Sequence, residues 1–352
     1  MARMIDVAKK AGVSLKTVSR VLNNEPHVKD VLRERVKTAA EEVGYVPSAS
    51  ARRLRSNRSY NLQLLSHSDR SNYVNAIQFG AIDVCQTSGY QLVIALLEGV
   101  SKRTWSELHD ELSRILNQAK PDGLILVPPL SNDERVAGIL SEFDIPVARI
   151  GPTHGIESPI TIAIDEQAAA QQLTDLLIAA GHEKIAFLRG KEDQAATHLR
   201  FRGYRDALDA AGLTFNPEWV LPGNFEFPSG LAAGEALLAM EDRPTAVFAA
   251  NDDMAAGVIM AGHRAGLDLP AELSVVGFDD SEIADKTWPA ITTVHQPLVE
   301  YGRLAARLLI EKLGGIPVIG ASVDAPELSP GMISYSLVER DSISDKSIKT
   351  KQ

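Results

Sequence analysis

Only one cysteine, Cys85, occurs in the 352 residues. That excludes an internal disulfide framework and any all-cysteine metal site, and it suits a reducing compartment. Long apolar runs are also missing. No run approaches the roughly 20 residues a membrane span requires, and the N-terminal MARMIDVAKK lacks the apolar core of a secretory leader. A cytoplasmic location is therefore expected. There is no GxGxxG opening a helix after a strand, no GxxxxGK(S/T) phosphate loop, no HExxH and no GxSxG elbow, and the eight histidines are scattered. These absences argue against an enzyme, and no cofactor or metal is expected.

What is present is an uneven charge distribution. The chain as a whole carries −10. Yet residues 1–58 hold 13 of the 36 Lys and Arg and only 6 of the 46 Asp and Glu. That segment is +7, which leaves −17 for the other 294 residues. A basic end on an acidic body is the electrostatic footprint of a DNA-reading head carried by a soluble partner domain. With 45% apolar residues there is ample core material, and 352 residues imply two or three domains.

Residues 6–23, DVAKKAGVSLKTVSRVLN, read as two short helices joined by a tight turn. Ile5, Ala8 and Ala11 supply an apolar face to the first helix. Gly12 permits the turn, and Ser14 is placed to cap the second helix. Val18, Val21 and Leu22 point inward at i, i+3 and i+4. Lys16, Ser19, Arg20 and Asn23 share the opposite face, beside Leu15 and Thr17. That polar face fits a recognition helix in a major groove, with an ordinary solvated helical hairpin as the bland alternative. Leu32, Val36, Ala39, Ala40 and Val43 mark a third helix closing the head, ended by Gly44 and Pro47. Residues 48–55, SASARRLR, are basic and too poor in apolar groups for a helix stable alone, so they are expected to order on DNA.

From about residue 60 strands and helices alternate. Apolar runs at 62–65, 91–96, 123–127, 147–150, 160–164, 184–188, 245–249 and 274–278 read as buried parallel strands. Amphipathic stretches near 73–88, 104–119, 132–142, 166–180, 197–211, 229–240, 253–265 and 297–313 read as helices between them. The expectation is an α/β body of doubly wound parallel sheets behind an all-α head. So many strands exceed one comfortable sheet, and two lobes are expected, divided near 159–161. The domains are then a head at 1–47, a hinge helix and linker at 48–58, and a body at 59–340. Lobe 1 takes about 59–160 and 292–320, and lobe 2 about 161–291 and 321–340. The last residues, 341–352, lack apolar periodicity and are expected to be disordered.

Five segments in order resemble the bacterial lactose-repressor (LacI/GalR) family of transcription regulators: DVAKKAGVSLKTVSRVLN, GYVPSASARRLRS, GHEKIAFLRG, FAANDDMAAG and LSVVGFDDSEIADKTWPAITTVHQP. The resemblance runs from about Ile5 to Arg340. It implies that the second helix reads base edges through Leu15, Lys16 and Arg20. Lys16 and Arg20 can donate to guanine, while Leu15 offers apolar contact such as a thymine methyl. Ser14, Thr17, Ser19 and Asn23 suit phosphate or positioning contacts, with capping and solvation as the plain reading of Thr17 and Ser19. Leu54 maps onto the family's minor-groove wedge and Arg55 flanks it; packing between hinges is its plain reading. Arg3, Lys29, Leu32 and Ser50 depart from the family's usual residues.

The resemblance further implies a body like periplasmic sugar-binding proteins, closing on a small molecule between its lobes. Carried over by motif, Arg200, Asn251 and Asp279 would clamp the effector, and Tyr73 and Phe225 occupy positions that often stack on it. Asn251 and Asp279 also end strands, where such residues commonly cap the next helix. Ser68 and Val74 depart from the sugar-sensing pattern. The expected function is a homodimeric repressor of carbohydrate uptake or catabolism genes, binding near-palindromic operator DNA and switched by an effector, with a sugar first and a purine second. A soluble sugar-binding protein without a regulatory role is the more distant alternative.

Overall fold

In a computed structural model of the chain, residues 2–22, 28–45, 58–67, 72–151, 158–314 and 332–346 are described. They fall into two compact units, divided in the chain between Tyr60 and Asn61. Asn23, Leu54, Arg55, Ser68 and most of the expected hinge lie outside the described residues.

The first unit is three helices, α1 (Met4–Ala11), α2 (Leu15–Leu22) and α3 (Asp30–Glu42). Val7, Ala8, Ala11, Val18, Val21, Val36, Ala39 and Ala40 make its core. The apolar face of α1 is thus carried by Val7 and the two alanines; Ile5, expected inside, is 45% exposed. Gly12 turns the chain with φ 62°, a conformation that costs an L side chain energy. Ser14 then caps α2 by accepting the Thr17 N–H at 3.1 Å. At the head of α1, Arg3 stands where a hydroxyl cap is usual. Its backbone N–H is satisfied instead by Asp6, at 2.8 Å.

The second unit alternates strand and helix. β1 (Asn61–Ser66), α4 (Asn72–Thr87), β2 (Gln91–Leu96), α5 (Trp105–Ala119), β3 (Gly123–Leu126), α6 (Glu134–Leu140), β4 (Val147–Ile150) and β5 (Ile160–Ile162) come first. They build a parallel sheet of order β2-β1-β3-β4-β5. α7 (Glu166–Ala179), β6 (Ile185–Leu188), α8 (Ala195–Ala210), β7 (Val220–Leu221), α9 (Phe227–Leu238), β8 (Ala246–Ala249), α10 (Asp252–Arg264) and β9 (Ser274–Val276) follow. Their strands make a second parallel sheet of order β7-β6-β8-β9. The short α11 (Glu282–Lys286), β10 (Thr293–His295), α12 (Leu298–Lys312) and β11 (Ser336–Val338) complete the unit, with β10 and β11 antiparallel. Parallel order follows from the helical crossovers, and burial on both faces explains the uninterrupted apolar strands such as GLIL in β3. No helix among the described residues is long and apolar enough to cross a membrane.

α12 packs with the first sheet although it follows the second in sequence. It crosses α4 backbone to backbone: a Cβ added at Gly80 would overlap the Val299 carbonyl, and one at Gly302 the Ile77 carbonyl.

Two expectations are corrected. β5 pairs with β4, Ile160 beside Ala148 and Ile162 beside Ile150. The division between sheets therefore falls after Ile162, not at 159–161. The last residues are not wholly a loose tail either. Ser342 is fully buried; its carbonyl accepts the Val275 N–H at 3.0 Å and its hydroxyl the Thr292 N–H at 2.8 Å. Ser344 N–H reaches the Ser274 hydroxyl at 2.9 Å. Backbone and hydroxyl groups dock residues 342–346, so apolar periodicity had nothing to report there.

Candidate functional site

In the first unit, α2 presents Leu15, Lys16 and Arg20 exposed, while Thr17 and Ser19 are half-buried. The Ser14 and Thr17 hydroxyls lie 2.9 Å apart, and Ser14 is already the cap. Local structure therefore uses both residues, and Leu15, Lys16 and Arg20 are the exposed residues of α2.

In the second unit a cavity of about 990 Å³ lies at the C-terminal ends of the strands. Tyr73, Arg200, Phe225, Asn251 and Asp279, scattered over more than 200 positions, all line it. Such a crevice outside the carboxyl ends of parallel strands is where open α/β sheets bind small molecules.

Arg200 is the centre of its polar network and is only 3% exposed. Its Nε donates to Glu166 Oε2 at 2.7 Å and its Nη2 to Asp279 Oδ1 at 3.3 Å, while Nη1 donates to the Ala250 carbonyl. The Phe278 ring lies 3.6 Å from the guanidinium carbon. Burial opposes the charge, but Glu166 and then Asp279 hold the guanidinium above its ordinary pKa. With three of its five N–H groups spent, Arg200 is a fixed post that offers a ligand at most two. Glu166 was missed from sequence. Its signal was a carboxylate opening a helix just after a strand, at a sheet's C-terminal edge.

Asp279 adopts φ 108°, and Phe225 φ 66°. Non-glycine residues held there store backbone strain, which concentrates at ligand sites. Gln296, also missed, donates to Asp279 Oδ1 at 2.7 Å. Burial pushes the Asp279 carboxyl up to about 6, against the pull of Arg200. The Phe225 ring lies where a Cβ on residue 190 would be, so Gly190 makes room for it. Asn251 holds the backbone of Phe225: its Nδ2 donates to the Phe225 carbonyl at 3.0 Å while its Oδ1 caps α10 through the Met254 N–H. Both ends of its amide are thus engaged, as the capping reading of this residue requires. Burial, then Glu166 and Asp279, raise the Tyr73 hydroxyl pKa far above its ordinary value, so the phenol stays neutral.

Asp252, next to Asn251, is fully buried. It accepts the Thr293 hydroxyl at 2.6 Å and the Ser281 N–H at 2.7 Å. Burial, helped by Asp279, pushes its carboxyl up to about 8 from 3.8. A proton held more tightly in the folded state stabilises that state fully below about pH 4, and the gain is lost as pH rises through about 8. The thermal midpoint of the protein is therefore expected to fall between about pH 5 and pH 8. Asp252→Asn should flatten that fall, and a variant curve parallel to the wild type would refute the assignment.

Residues 3–48 match the family described as bacterial regulatory proteins, lacI family, and residues 174–343 match a periplasmic binding protein-like domain. The chain is 32% identical over 317 residues to the HTH-type transcriptional repressor PurR of Photobacterium profundum, covering 89% of this chain and 92% of that protein. It is 32% identical over 314 residues to the ribose operon repressor of Haemophilus influenzae, with the same coverage. Among solved structures, a lac repressor dimer bound to operator and the anti-inducer ONPF superposes with TM-score 0.75 at 25% identity, over 97% of this chain and 99% of that one. A complex of the transcriptional regulator CelR with cellobiose gives TM-score 0.69 at 30% identity, over 97% and 100%.

Proposed function

The chain belongs to the lacI family of bacterial regulatory proteins, and from that premise we propose that an uncharged small molecule, a sugar first, switches this DNA-binding repressor. It is a regulator and not an enzyme. The reading has it act in the cytoplasm as a homodimer on a near-palindromic operator. Lys16 and Arg20 select bases there, and Leu54 enters the minor groove.

One observation carries the effector class: the cavity is lined with carboxylates. Glu166, Glu226, Asp253, Asp279, Asp280, Glu282 and Glu300 line it against Lys191 and Arg200; Glu166 and Asp279 hold Arg200, Asp280 pairs with Arg340, Glu282 with Lys286 and Glu300 with Arg303. Hydroxyl groups of a ligand meet many acceptors there, whereas a phosphate or carboxylate finds only Lys191 and the already engaged Arg200 as lining lysine or arginine. A purine is the second reading. It is favoured by Tyr73 and Phe225 on the same cavity and by the relatives that carry the name PurR. Ligand held between the sheets favours one closure state of the body, and that preference is what the head reads out.

Thermal unfolding of the full chain with ribose, cellobiose, glucose 6-phosphate and hypoxanthine tests this. A ligand at 100 times its Kd adds about 2.7 kcal/mol and raises the midpoint by several degrees. A rise with an uncharged sugar supports the first reading. A rise with hypoxanthine alone supports the second, and a rise with the phosphate ester alone overturns both.

A further inference from the structure

Arg149 has no part in the site above, yet it is a buried cation. It sits near the end of β4, 3% exposed, beside Leu126 of β3 in the sheet register. Leu126 belongs to the apolar cluster under α5 and α6, so the guanidinium enters the protein on that side. Its Nη1 donates to the Ser131 carbonyl. Among the described residues no carboxylate stands within ion-pair distance of it, in contrast to Arg200 with two. Asp133, two residues beyond Ser131, is spent on Arg135 and on the cap of α6.

Ser131 makes a second, independent observation. It is fully buried, and its Oγ has no hydrogen-bond partner among the described residues. A hydroxyl donor without an acceptor thus stands in the same residue whose carbonyl holds a cation without an anion. Burying an unpaired ion costs several kcal/mol, and a guanidinium cannot escape that cost by losing its proton. Burial depresses the Arg149 pKa with no charge to offset it, which restates the same deficit. A single anion meets both groups, and neither residue lines the large cavity; a monatomic anion is the smallest ligand that can take a guanidinium N–H and a hydroxyl together.

We propose that Arg149 and the Ser131 hydroxyl bind a chloride ion behind the wall of the cavity. The location gives the ion a task. Asn132 donates to the Gly151 carbonyl at 3.2 Å, and Pro128 and Gly151 line the cavity, so an anion at Arg149 holds the loop that shapes its floor.

The test uses the full chain in sodium chloride, bromide, gluconate and sulfate at equal ionic strength. Chloride and bromide are expected to raise the thermal midpoint saturably, by about 2 to 4 °C, relative to gluconate. Arg149→Met should abolish the difference between salts, and bromide-soaked crystals should show anomalous density against the Arg149 guanidinium. Equal midpoints in all four salts with no bromide at Arg149 would overturn the proposal. So would an Arg149→Met protein that keeps the chloride effect, and a preference for sulfate would replace the monatomic ion by an oxyanion. If the variant does not fold, the wild-type salt series and the bromide density decide alone.

Discussion

Arg200→Ala is expected to lower the thermal midpoint of the protein by on the order of 10 °C, well beyond removing a ligand contact. The guanidinium is 3% exposed, and its partners Glu166 and Asp279 are 12% and 15% exposed. Deleting one member of such a buried network leaves charge without compensation, at about 3–5 kcal/mol. For a protein of this size each kcal/mol moves the midpoint by roughly 2–4 °C. Asp279→Asn should behave differently. The carboxyl is already pushed up to about 6, so a neutral amide of the same shape can keep a contact with Gln296. Its midpoint is expected to fall by only a few degrees while the effector response disappears. Calorimetry of the two variants, with and without effector, separates the roles. An Arg200→Ala protein as stable as wild type would show that the network carries no stability, and an Asp279→Asn protein with a full ligand response would remove Asp279 from the site.

That contrast was not legible before the fold. Motif position placed Arg200 and Asp279 at the effector, but Glu166 lies 34 residues from Arg200 and Asp279 lies 79. No local pattern announces that two carboxylates will share one guanidinium. What periodicity could see, it saw. The apolar runs at 123–127 and 245–249 became buried parallel strands because a β-strand covered on both faces leaves an uninterrupted apolar signature. The same logic fails at β5. Its ITI would read identically in either sheet, and only pairing with β4 decides which sheet takes it. It fails again at Ser342 and Ser344, where docking runs through hydroxyl and backbone groups. Asn251 is the instructive middle case, since strand-end position and family motif both single it out. The structure shows it holding Phe225 and capping α10 at the same time.

Removing residues 1–60 is expected to abolish DNA binding and leave a body that unfolds cooperatively within about 1 °C of the full chain's main transition. Each unit closes its own core. The small apolar cluster from Val7 to Ala40 draws only on α1, α2, α3 and their flanks. The sheets of the second unit start at Asn61, where the division between the units falls. Charge gives the sign of the binding effect, because the truncation removes the +7 segment and leaves a strongly acidic protein. Non-specific affinity for duplex DNA depends on neutralising phosphates and releasing their counterions. Anisotropy of a labelled operator, chosen by selection from random duplexes, measures the loss, and calorimetry measures the body. Within the intact chain, Arg20→Ala should cost about 1–3 kcal/mol on the selected operator and relax its preferred base, as loss of a bidentate guanine contact does. Lys16→Ala should act similarly at a neighbouring base. If both variants weakened all duplexes equally, α2 would be holding phosphates and not reading bases. If the truncated body still bound DNA, the charge division between the two units would have been misread.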